Sequence, residues 1–176
     1  RKYVEGFMKD EKVLLGDIAE SDCDCIVNAA TKTLLGGGGV DGAIHRAAGP
    51  ELLDECMGLG GCNAGEAKIT KGYKLKAKYI IHTVGPVYSG SSADAVILGN
   101  CYKNSLDLAK KYDLHSIAFP AVSTGIYGYP PELATSIAVD AVRKWKEDNV
   151  GYLMRVDFYC FSERIYAQYV LTLRNT

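Results

Sequence analysis

Residues 36–39 are four consecutive glycines, and they form the part of this sequence best suited to chemistry. Glycine lacks a Cβ atom and reaches positive φ at little cost, so successive amide N–H groups can converge on an anion. A helix predicted over residues 40–48 adds its N-terminal amides and a partial positive charge at the same place. Asp41 begins this helix, and His45 lies one turn further on. The spacing therefore predicts a phosphate site with a carboxylate and an imidazole beside it.

The same glycines permit other interpretations. Gly37, Gly39 and Gly42 match the G-x-G-x-x-G pattern of dinucleotide-binding loops. In that fold the glycines directly follow the first strand, and an acidic residue ends the second strand about twenty residues later. Here residues 30–35 lie between the preceding strand and the glycines, and the acids downstream fall in a predicted helix. This context argues against a dinucleotide fold, whereas a purely structural glycine turn stays open on this stretch alone.

A second carboxylate, Asp17, stands at the end of a strand predicted over residues 12–18. Ligands of open α/β sheets collect at the carboxyl ends of the strands, so this side chain is placed to accept a hydrogen bond from an amino group or a ribose hydroxyl. The alternative is an ordinary turn or a helix N-cap, for which aspartate is also favoured. Both interpretations stay open.

Strands and helices alternate along the chain, and this alternation sets the fold class. Further strands are predicted over residues 25–29, 66–70, 78–84, 116–121 and 155–160. Helices are predicted over residues 40–48, 51–57 and 93–112, after residue 130 and near the C-terminus. The alternation favours a three-layer α/β/α fold with a mostly parallel sheet, in a single domain spanning residues 1–176. His82 falls inside the apolar strand 78–84, where we expect a buried histidine satisfied by hydrogen bonds rather than one that binds a ligand.

Residues 122–130 form a second loop rich in glycine and hydroxyl groups, which also follows a strand and precedes a helix. We expect the two loops to face each other across the carboxyl edge of the sheet, with room for two phosphates between them. A diphosphate with a nucleoside at either end would place one base near Asp17 and the other sugar near Asp41 and Tyr127.

The composition limits the remaining classes of function. The 176 residues carry a formal net charge of -1, which provides no basic field for duplex nucleic acid. No apolar run reaches the length of a membrane span, and the charged N-terminal residues do not resemble a signal peptide, so we expect a soluble, cytoplasmic protein. The 6 cysteines are expected to be free thiols, since none has the C-x-x-C spacing of a zinc site. We therefore expect no metal and no cofactor.

Several short motifs follow one another in a specific order: Gly-Asp-Ile at residues 16–18, Val-Asn-Ala-Ala at 27–30, the stretch 36–49, Gly-Cys-Asn-Ala-Gly-Glu-Ala at 61–67, and residues 70–73, 81–86 and 123–130. Together they cover nearly the whole chain and resemble a macrodomain of the MacroD type. The resemblance implies a six-stranded mixed sheet between helices and a cleft for ADP-ribose. It also implies removal of ADP-ribose from modified acidic side chains of proteins, or of acetyl from O-acetyl-ADP-ribose. We expect a monomer, with nucleic acid as a partner only where its end is ADP-ribosylated.

The resemblance assigns roles to two groups of residues. It implies a catalytic group of Asn28, Thr31, Asp41 and His45, in which Asp41 orients or deprotonates a water molecule beside the distal ribose and His45 supports the site. The implied ADP-ribose-binding group comprises, for the adenine, Asp17, Ile18 and Phe161 and, for the diphosphate and distal ribose, Gly38, Gly39, Val40, Ser123, Thr124, Gly125, Ile126 and Tyr127.

One position departs from the family pattern. Active relatives of this type usually read Asn-Ala-Ala-Asn before the glycine loop, whereas the fourth residue here is Thr31. The missing amide would have bound the distal ribose and helped to place the water, so binding should survive the change better than turnover. Two functions of different class follow: a slow hydrolase, or a module that binds ADP-ribose with weak or no hydrolysis. The zinc-containing branch of the family needs Cys and His in the glycine loop, so that branch is set aside.

Overall fold

One mixed β-sheet runs through the middle of the computed structural model, which describes residues 3–5 and 10–175. Its strands are β1 (Tyr3–Glu5), β2 (Glu11–Leu15), β3 (Cys25–Ala29), β4 (Ala67–Lys71), β5 (Tyr79–Thr83), β6 (Ser116–Phe119) and β7 (Arg155–Cys160). Their spatial order is β1-β2-β7-β6-β3-β5-β4. Neighbouring strands are parallel except at the two edges, where β1 pairs antiparallel with β2 and β4 with β5. The predicted mixed, mostly parallel sheet is confirmed, with the short strand β1 as a seventh strand beside the six expected.

Helices cover both faces of this sheet, which confirms the three-layer architecture. They are α1 (Gly39–Ala48), α2 (Pro50–Met57), α3 (Ser92–Lys111), α4 (Pro131–Asp148) and α5 (Glu163–Arg174). Helices α1 and α2 pack on one face, and α3, α4 and α5 pack on the other. Among the helices of the described residues, none combines the length and apolar character needed to cross a bilayer. Residues 1, 2, 6–9 and 176 of the domain predicted over 1–176 lie outside the described part.

The central strands are apolar on both faces because both faces are covered. Ile26 and Ile80 belong to the core on the α1 side, whereas Val27 and Ile81 belong to the core on the α3 side. Each of these side chains is fully buried, and burial of one such side chain stabilises the fold by about 1.5–3 kcal/mol. The consequence is a rigid platform whose strand ends are fixed in space.

Two predicted strands end two or more residues earlier in the structure than the sequence indicated. Strand β2 stops at Leu15, and Ile18 begins a single turn of 3-10 helix instead, because the Asp17 carboxylate accepts a hydrogen bond from the Ala19 amide and so turns the chain. Strand β6 stops at Phe119, because Pro120 has no N–H to continue the ladder. Strands β3 and β7 coincide with the predicted ranges.

Candidate active site

The carboxyl ends of the five parallel strands meet at one edge of the sheet, and the loops that follow them enclose two adjoining cavities. The first, which we call the loop cavity, has a volume of about 280 Å³ and lies between the two glycine-containing loops. The second, the Asp17 cavity, has a volume of about 320 Å³ and lies beside the end of β2. The two form one continuous cleft, because both are lined by Gly39, Val40, Pro120, Tyr159 and Phe161.

Most of the predicted site residues line this cleft. Asp17 and Ile18 line the Asp17 cavity. The residues that line the loop cavity include Thr31, Gly38, Asp41 and the predicted part of the second loop, Ser123, Thr124, Gly125, Ile126 and Tyr127. Asn28 and His45 line neither cavity; they contact Asp41 through its carboxylate instead. The structure therefore brings all the predicted residues together, with these two one layer behind the cleft surface.

Asp17 is the N-cap that one interpretation of the sequence described, and its role in binding a ligand stays a prediction. Its Oδ1 atom accepts a hydrogen bond of 2.9 Å from the Ala19 amide, so the residue is the N-cap of the short 3-10 helix. The residue is nevertheless exposed and lines the Asp17 cavity. Phe161 is 71% exposed at the same cavity, so an aromatic face is available there for a planar ligand.

The glycine loop places the N-terminus of helix α1 at the cleft. No side chain of the described residues caps the first amides of this helix. Gly38 is the N-cap of α1 and provides no side-chain hydrogen bond. A Cβ atom on Gly38 or on Gly39 would meet no protein atom within 4 Å, so both positions face open space. Gly39 has a φ of +56°, a left-handed conformation that favours glycine. The unsatisfied N–H groups at this helix start are suited to bind a phosphate.

The second loop is held in shape by its own hydroxyl groups. Ser123 has a φ of +67°, and its Oγ donates a 2.8 Å hydrogen bond to the Pro86 carbonyl. The hydroxyl of Thr124 donates to the Ala121 carbonyl at 2.7 Å. Because both hydroxyls donate to carbonyls, they fix the loop. The Thr124 amide also donates to the Ala121 carbonyl, so the amides of residues 125–127 are the donors left for a ligand.

Neighbouring segments add to this support. The Tyr88 amide donates to the Tyr127 carbonyl at 2.8 Å, and the Tyr88 ring packs on Tyr129 with centroids 4.8 Å apart. Ile126 is 97% exposed at the tip of the loop, so the loop presents an apolar side chain at the mouth of the cavity. The shape of the loop thus depends on residues 86–88 as well as on its own hydroxyl groups.

Asp41 is a buried carboxylate at the floor of the loop cavity, with 4% of its surface exposed. Its Oδ1 accepts a 2.8 Å hydrogen bond from Asn28 Nδ2 and lies 3.4 Å from His45 Nε2. Its Oδ2 has no hydrogen-bond partner. Burial raises the pKa of the Asp41 carboxyl above its ordinary value of 3.8, and the Asn28 hydrogen bond and the His45 charge oppose this rise. A carboxylate with a raised pKa and an unpaired oxygen is suited to accept a proton.

A buried histidine stands behind this carboxylate, as the sequence predicted for His82. Its Nδ1 lies 3.1 Å from Asn28 Nδ2, and its Nε2 lies 2.9 Å from the Thr70 hydroxyl. Asn28 and His82 sit opposite each other in the parallel register of β3 and β5. Strand pairing, rather than closeness along the chain, therefore connects His82 to the cleft.

The hydroxyl of Thr31 contacts that of Thr33. Its Oγ1 lies 3.3 Å from the Thr33 hydroxyl. A Cβ atom placed on Gly37 would lie 3.7 Å from the Thr31 methyl carbon and 3.1 Å from Asp41 Oδ2, so the methyl group and the carboxylate flank the same spot. At the position where the resemblance leads us to expect asparagine, the methyl carbon therefore lies near Gly37, and the hydroxyl contacts Thr33.

Sequence reasoning missed several residues of the cleft. Most of them lie at or just beyond the ends of β3, β5, β6 and β7: Ala29, Ala30, Gly85, Pro120, Ala121, Val122, Tyr159, Cys160 and Ser162. Ile165 lies in the first turn of α5, and Ala43 faces the Asp17 cavity from α1. The available signal was position at a strand end, since the carboxyl edge of a parallel sheet is where ligands bind.

The described residues also include possible metal ligands and thiols. Within residues 3–5 and 10–175, no group of three or more His, Cys, Asp or Glu side chains is arranged to hold a metal ion. The cysteines are all buried and unpaired. Burial raises the pKa of Cys160, the one thiol that lines the cleft, to about 12, so this thiol is protonated at neutral pH.

The chain matches the family model of the Macro domain over residues 27–138. It is 55% identical to a macro domain-containing protein of Ralstonia nicotianae, over 93% of this chain and 94% of that protein. It is 50% identical to the ADP-ribose glycohydrolase MACROD1 of Bos taurus, over 95% of this chain but 54% of that longer protein.

Solved structures agree with this match. An Oceanobacillus iheyensis macrodomain mutant with ADPR superimposes with a TM-score of 0.92 at 40% identity, covering 99% of this chain and 98% of that chain. The Trypanosoma brucei macrodomain in complex with ADP-ribose superimposes with a TM-score of 0.88 at 48% identity, covering 92% of this chain and 68% of that chain. The motifs, the fold and the cleft thus lead to one conclusion: the chain belongs to the macro domain family, and within it to the MacroD type.

Proposed function

We propose that this protein binds ADP-ribose in the cleft and hydrolyses ADP-ribosyl esters. Its substrates would be proteins mono-ADP-ribosylated on Asp or Glu, and O-acetyl-ADP-ribose. The observation that carries the proposal is the buried carboxylate of Asp41, which has a raised pKa and an unpaired oxygen, at the floor of a cleft lined by uncapped helix amides. Relatives named as ADP-ribose glycohydrolases and solved macrodomains with ADP-ribose support it.

The order of groups along the cleft fits the parts of ADP-ribose. The adenine would occupy the Asp17 cavity, with its amino group near Asp17 and its ring against Phe161. The diphosphate would lie between the start of α1 and the second loop, where backbone amides converge. The distal ribose would then reach Asp41, which places the acyl ester beside a carboxylate.

In this arrangement Asp41 acts on water. Hydrolysis adds one water molecule across the ester bond and yields free ADP-ribose and a carboxylic acid. Asp41 accepts a proton from the attacking water and returns it to the leaving oxygen, a general acid–base role for which a raised pKa is favourable. Asn28 Nδ2 donates a hydrogen bond to Asp41 Oδ1, and His45 Nε2 lies 3.4 Å from the same oxygen. Both neighbours act to lower the pKa of Asp41 and so favour its ionised form.

A second candidate function is a reader that binds ADP-ribose with weak or no hydrolysis. The position of Thr31 favours this candidate, because its hydroxyl faces Thr33 and its methyl group lies beside the spot flanked by Asp41. A Thr31 hydroxyl that donates its proton to Thr33 has none left to place the water. Binding and turnover must therefore be measured separately.

Calorimetric titration with ADP-ribose, NAD and AMP tests the binding proposal, and we expect micromolar affinity for ADP-ribose. Release of ADP-ribose from a glutamate-modified protein under single-turnover conditions then tests hydrolysis. Binding with release supports the hydrolase. Binding without release, at substrate and enzyme concentrations far above the dissociation constant, supports the reader, and absence of binding contradicts both.

A further inference from the structure

We propose that His82 is a positioning residue for the reaction: as a hydrogen-bond acceptor it fixes the side-chain amide of Asn28, and through this amide it sets the orientation and charge of Asp41. The inference rests on the proposed function, since it concerns the residue that would activate water. His82 is fully buried in the centre of β5 and lines neither cavity. It can therefore act on the substrate only through other side chains.

The hydrogen bonds determine which atoms carry protons. An ionised Asp41 only accepts hydrogen bonds, so the group 2.8 Å from its Oδ1 must be the amide nitrogen of Asn28. The same nitrogen lies 3.1 Å from His82 Nδ1, so this ring nitrogen must accept the second amide proton. The proton of the neutral ring is then on Nε2, which faces the Thr70 hydroxyl at 2.9 Å, and that hydroxyl donates onward to the Lys71 carbonyl at 3.2 Å. Every proton in this series of hydrogen bonds, from Asn28 through His82 to Thr70, has an acceptor.

This pattern leaves the Asn28 amide no alternative orientation. A flipped amide would set its oxygen against both Asp41 Oδ1 and His82 Nδ1, and two acceptors at these distances repel each other. Without His82 the amide would have one proton unpaired, and the hydrogen bond to Asp41 alone would fix its orientation. The hydrogen bond from Asn28 is one of the two influences that lower the pKa of Asp41, so loss of this geometry would raise that pKa further.

The ring stays in its accepting form over the working pH range. Burial lowers the pKa of His82 to about 3, and the charge of His45 acts in the same direction. The titratable groups near it are His45 from α1, whose charge acts on it, and Cys56 from α2, whose Sγ lies 3.9 Å from Nε2; Asp41 is connected to it through Asn28. Burial raises the pKa of the Cys56 thiol to about 11, so this thiol is neutral when Asp41 titrates.

Two substitutions separate positioning from packing. His82→Asn keeps an acceptor near the place of Nδ1 but leaves a small cavity, whereas His82→Leu fills the space and has no acceptor. If His82 positions Asn28, the single-turnover rate falls about tenfold or more in His82→Leu and clearly less in His82→Asn, while the ADP-ribose dissociation constant stays within about twofold in both. The acidic limb of the pH–rate profile moves to higher pH in His82→Leu only. If His82 only fills space, the single-turnover rates of the two variants follow their free energies of unfolding. His82→Leu, which fills the space better, is then at least as active as His82→Asn, and the pH–rate profile is unchanged. This result overturns the proposal.

Nuclear magnetic resonance, which requires no turnover, tests the positioning role of His82 independently of the proposed hydrolysis. Long-range ¹H–¹⁵N correlation of the wild-type protein reports the tautomer of His82, and a ¹³C titration reports the pKa of Asp41. We expect a proton on Nε2 and a higher Asp41 pKa in His82→Leu than in His82→Asn. A proton on Nδ1 in the wild type overturns the proposal even if neither variant folds. If the wild type releases no ADP-ribose, the proposed function fails, and equal Asp41 pKa values in the two variants would then show that the positioning role fails as well.

Discussion

The two carboxylates of the cleft, Asp17 and Asp41, stand at opposite ends and are built in opposite ways. Asp17 is exposed, and its hydrogen bond is to an amide two residues away. Asp41 is buried, and its hydrogen bond comes from Asn28 on a strand, which is held in turn by His82 on the neighbouring strand. The first end is organised by local sequence and the second by the sheet.

This difference separates recognition from chemistry. An exposed carboxylate can bind an amino group of a ligand without any change in its charge state, because water solvates its charge. A buried carboxylate has a raised pKa, which makes it a better proton acceptor at the cost of stability. We therefore expect changes near Asp17 to alter affinity and changes near Asp41 to alter turnover.

The largest effect is expected for Asp41→Asn, which has nearly the same shape and still accepts the hydrogen bond from Asn28. Loss of a general base should lower the single-turnover rate about 10²- to 10⁴-fold, while ADP-ribose affinity changes less than about threefold. On one preparation of the variant, rapid-quench assays measure the single-turnover rate and calorimetry measures the affinity for ADP-ribose. A variant that loses affinity and rate in equal proportion would show that Asp41 serves binding instead.

The same variant is expected to differ from the wild type in its free energy of unfolding. The folded-state pKa of Asp41 is above its ordinary value of 3.8, so its contribution to stability is fully present below that value and is lost as the pH rises through the folded pKa. We expect Asp41→Asn to be more stable than the wild type at neutral pH. The difference between their free energies of unfolding should become smaller as the pH falls. Urea unfolding across this range measures the difference, and a difference that is independent of pH would contradict the raised pKa.

The next effect is expected for Gly39→Glu, which brings a side chain and a negative charge to the amides at the start of α1. We expect ADP-ribose affinity to fall by about a hundredfold or more, since the charge repels the diphosphate. Gly39→Ala is the matched control, because it shares the strain of a φ of +56° but adds no charge. Calorimetry should find a clearly smaller loss for Gly39→Ala; equal losses would place the diphosphate elsewhere.

A smaller effect is expected for Asp17, where two roles can be separated. Asp17→Asn keeps the N-cap, since asparagine caps as well as aspartate, but it removes the charge. We expect the dissociation constant for ADP-ribose to rise about ten- to a hundredfold through loss of a charge-assisted hydrogen bond, with an unchanged rate at saturation. Asp17→Ala loses the cap as well, so its additional effect should appear in thermal unfolding rather than in affinity. Unchanged affinity in both folded variants would remove Asp17 from the site.

The smallest effect in this series is a gain, expected for Thr31→Asn. A side-chain amide at this position could hold the distal ribose and the attacking water, and one such hydrogen bond corresponds to about five- to a hundredfold in rate with little change in affinity. Thr31→Val is the control, because the wild-type hydroxyl faces Thr33 and its removal should leave the rate near that of the wild type. If Thr31→Val slows release as much as Thr31→Asn was expected to raise it, the hydroxyl already takes part in the reaction.

The same contrast explains which features could be predicted from the sequence. The glycine loop, Asp17 and the second loop are local patterns, and the structure places them where the strand order requires. His82 was predicted to be buried from the apolar run around it, and it is. Its contact with Asn28 could not be predicted, because it depends on the pairing of β3 with β5, whose residues lie far apart in sequence. Tyr159 was missed for a similar reason, since it joins the cleft only because β7 lies between β2 and β6.

The pH dependence of single-turnover ADP-ribose release from a glutamate-modified protein, measured for the wild type and for Asp41→Asn, tests the central claim most directly. For the wild type we predict a rate that rises through a pKa above 3.8, the ordinary value for aspartate. For Asp41→Asn we predict loss of this rise and a rate lower by at least about a hundredfold, with ADP-ribose still bound. Release at the wild-type rate by Asp41→Asn, with the same pH dependence, would contradict the account.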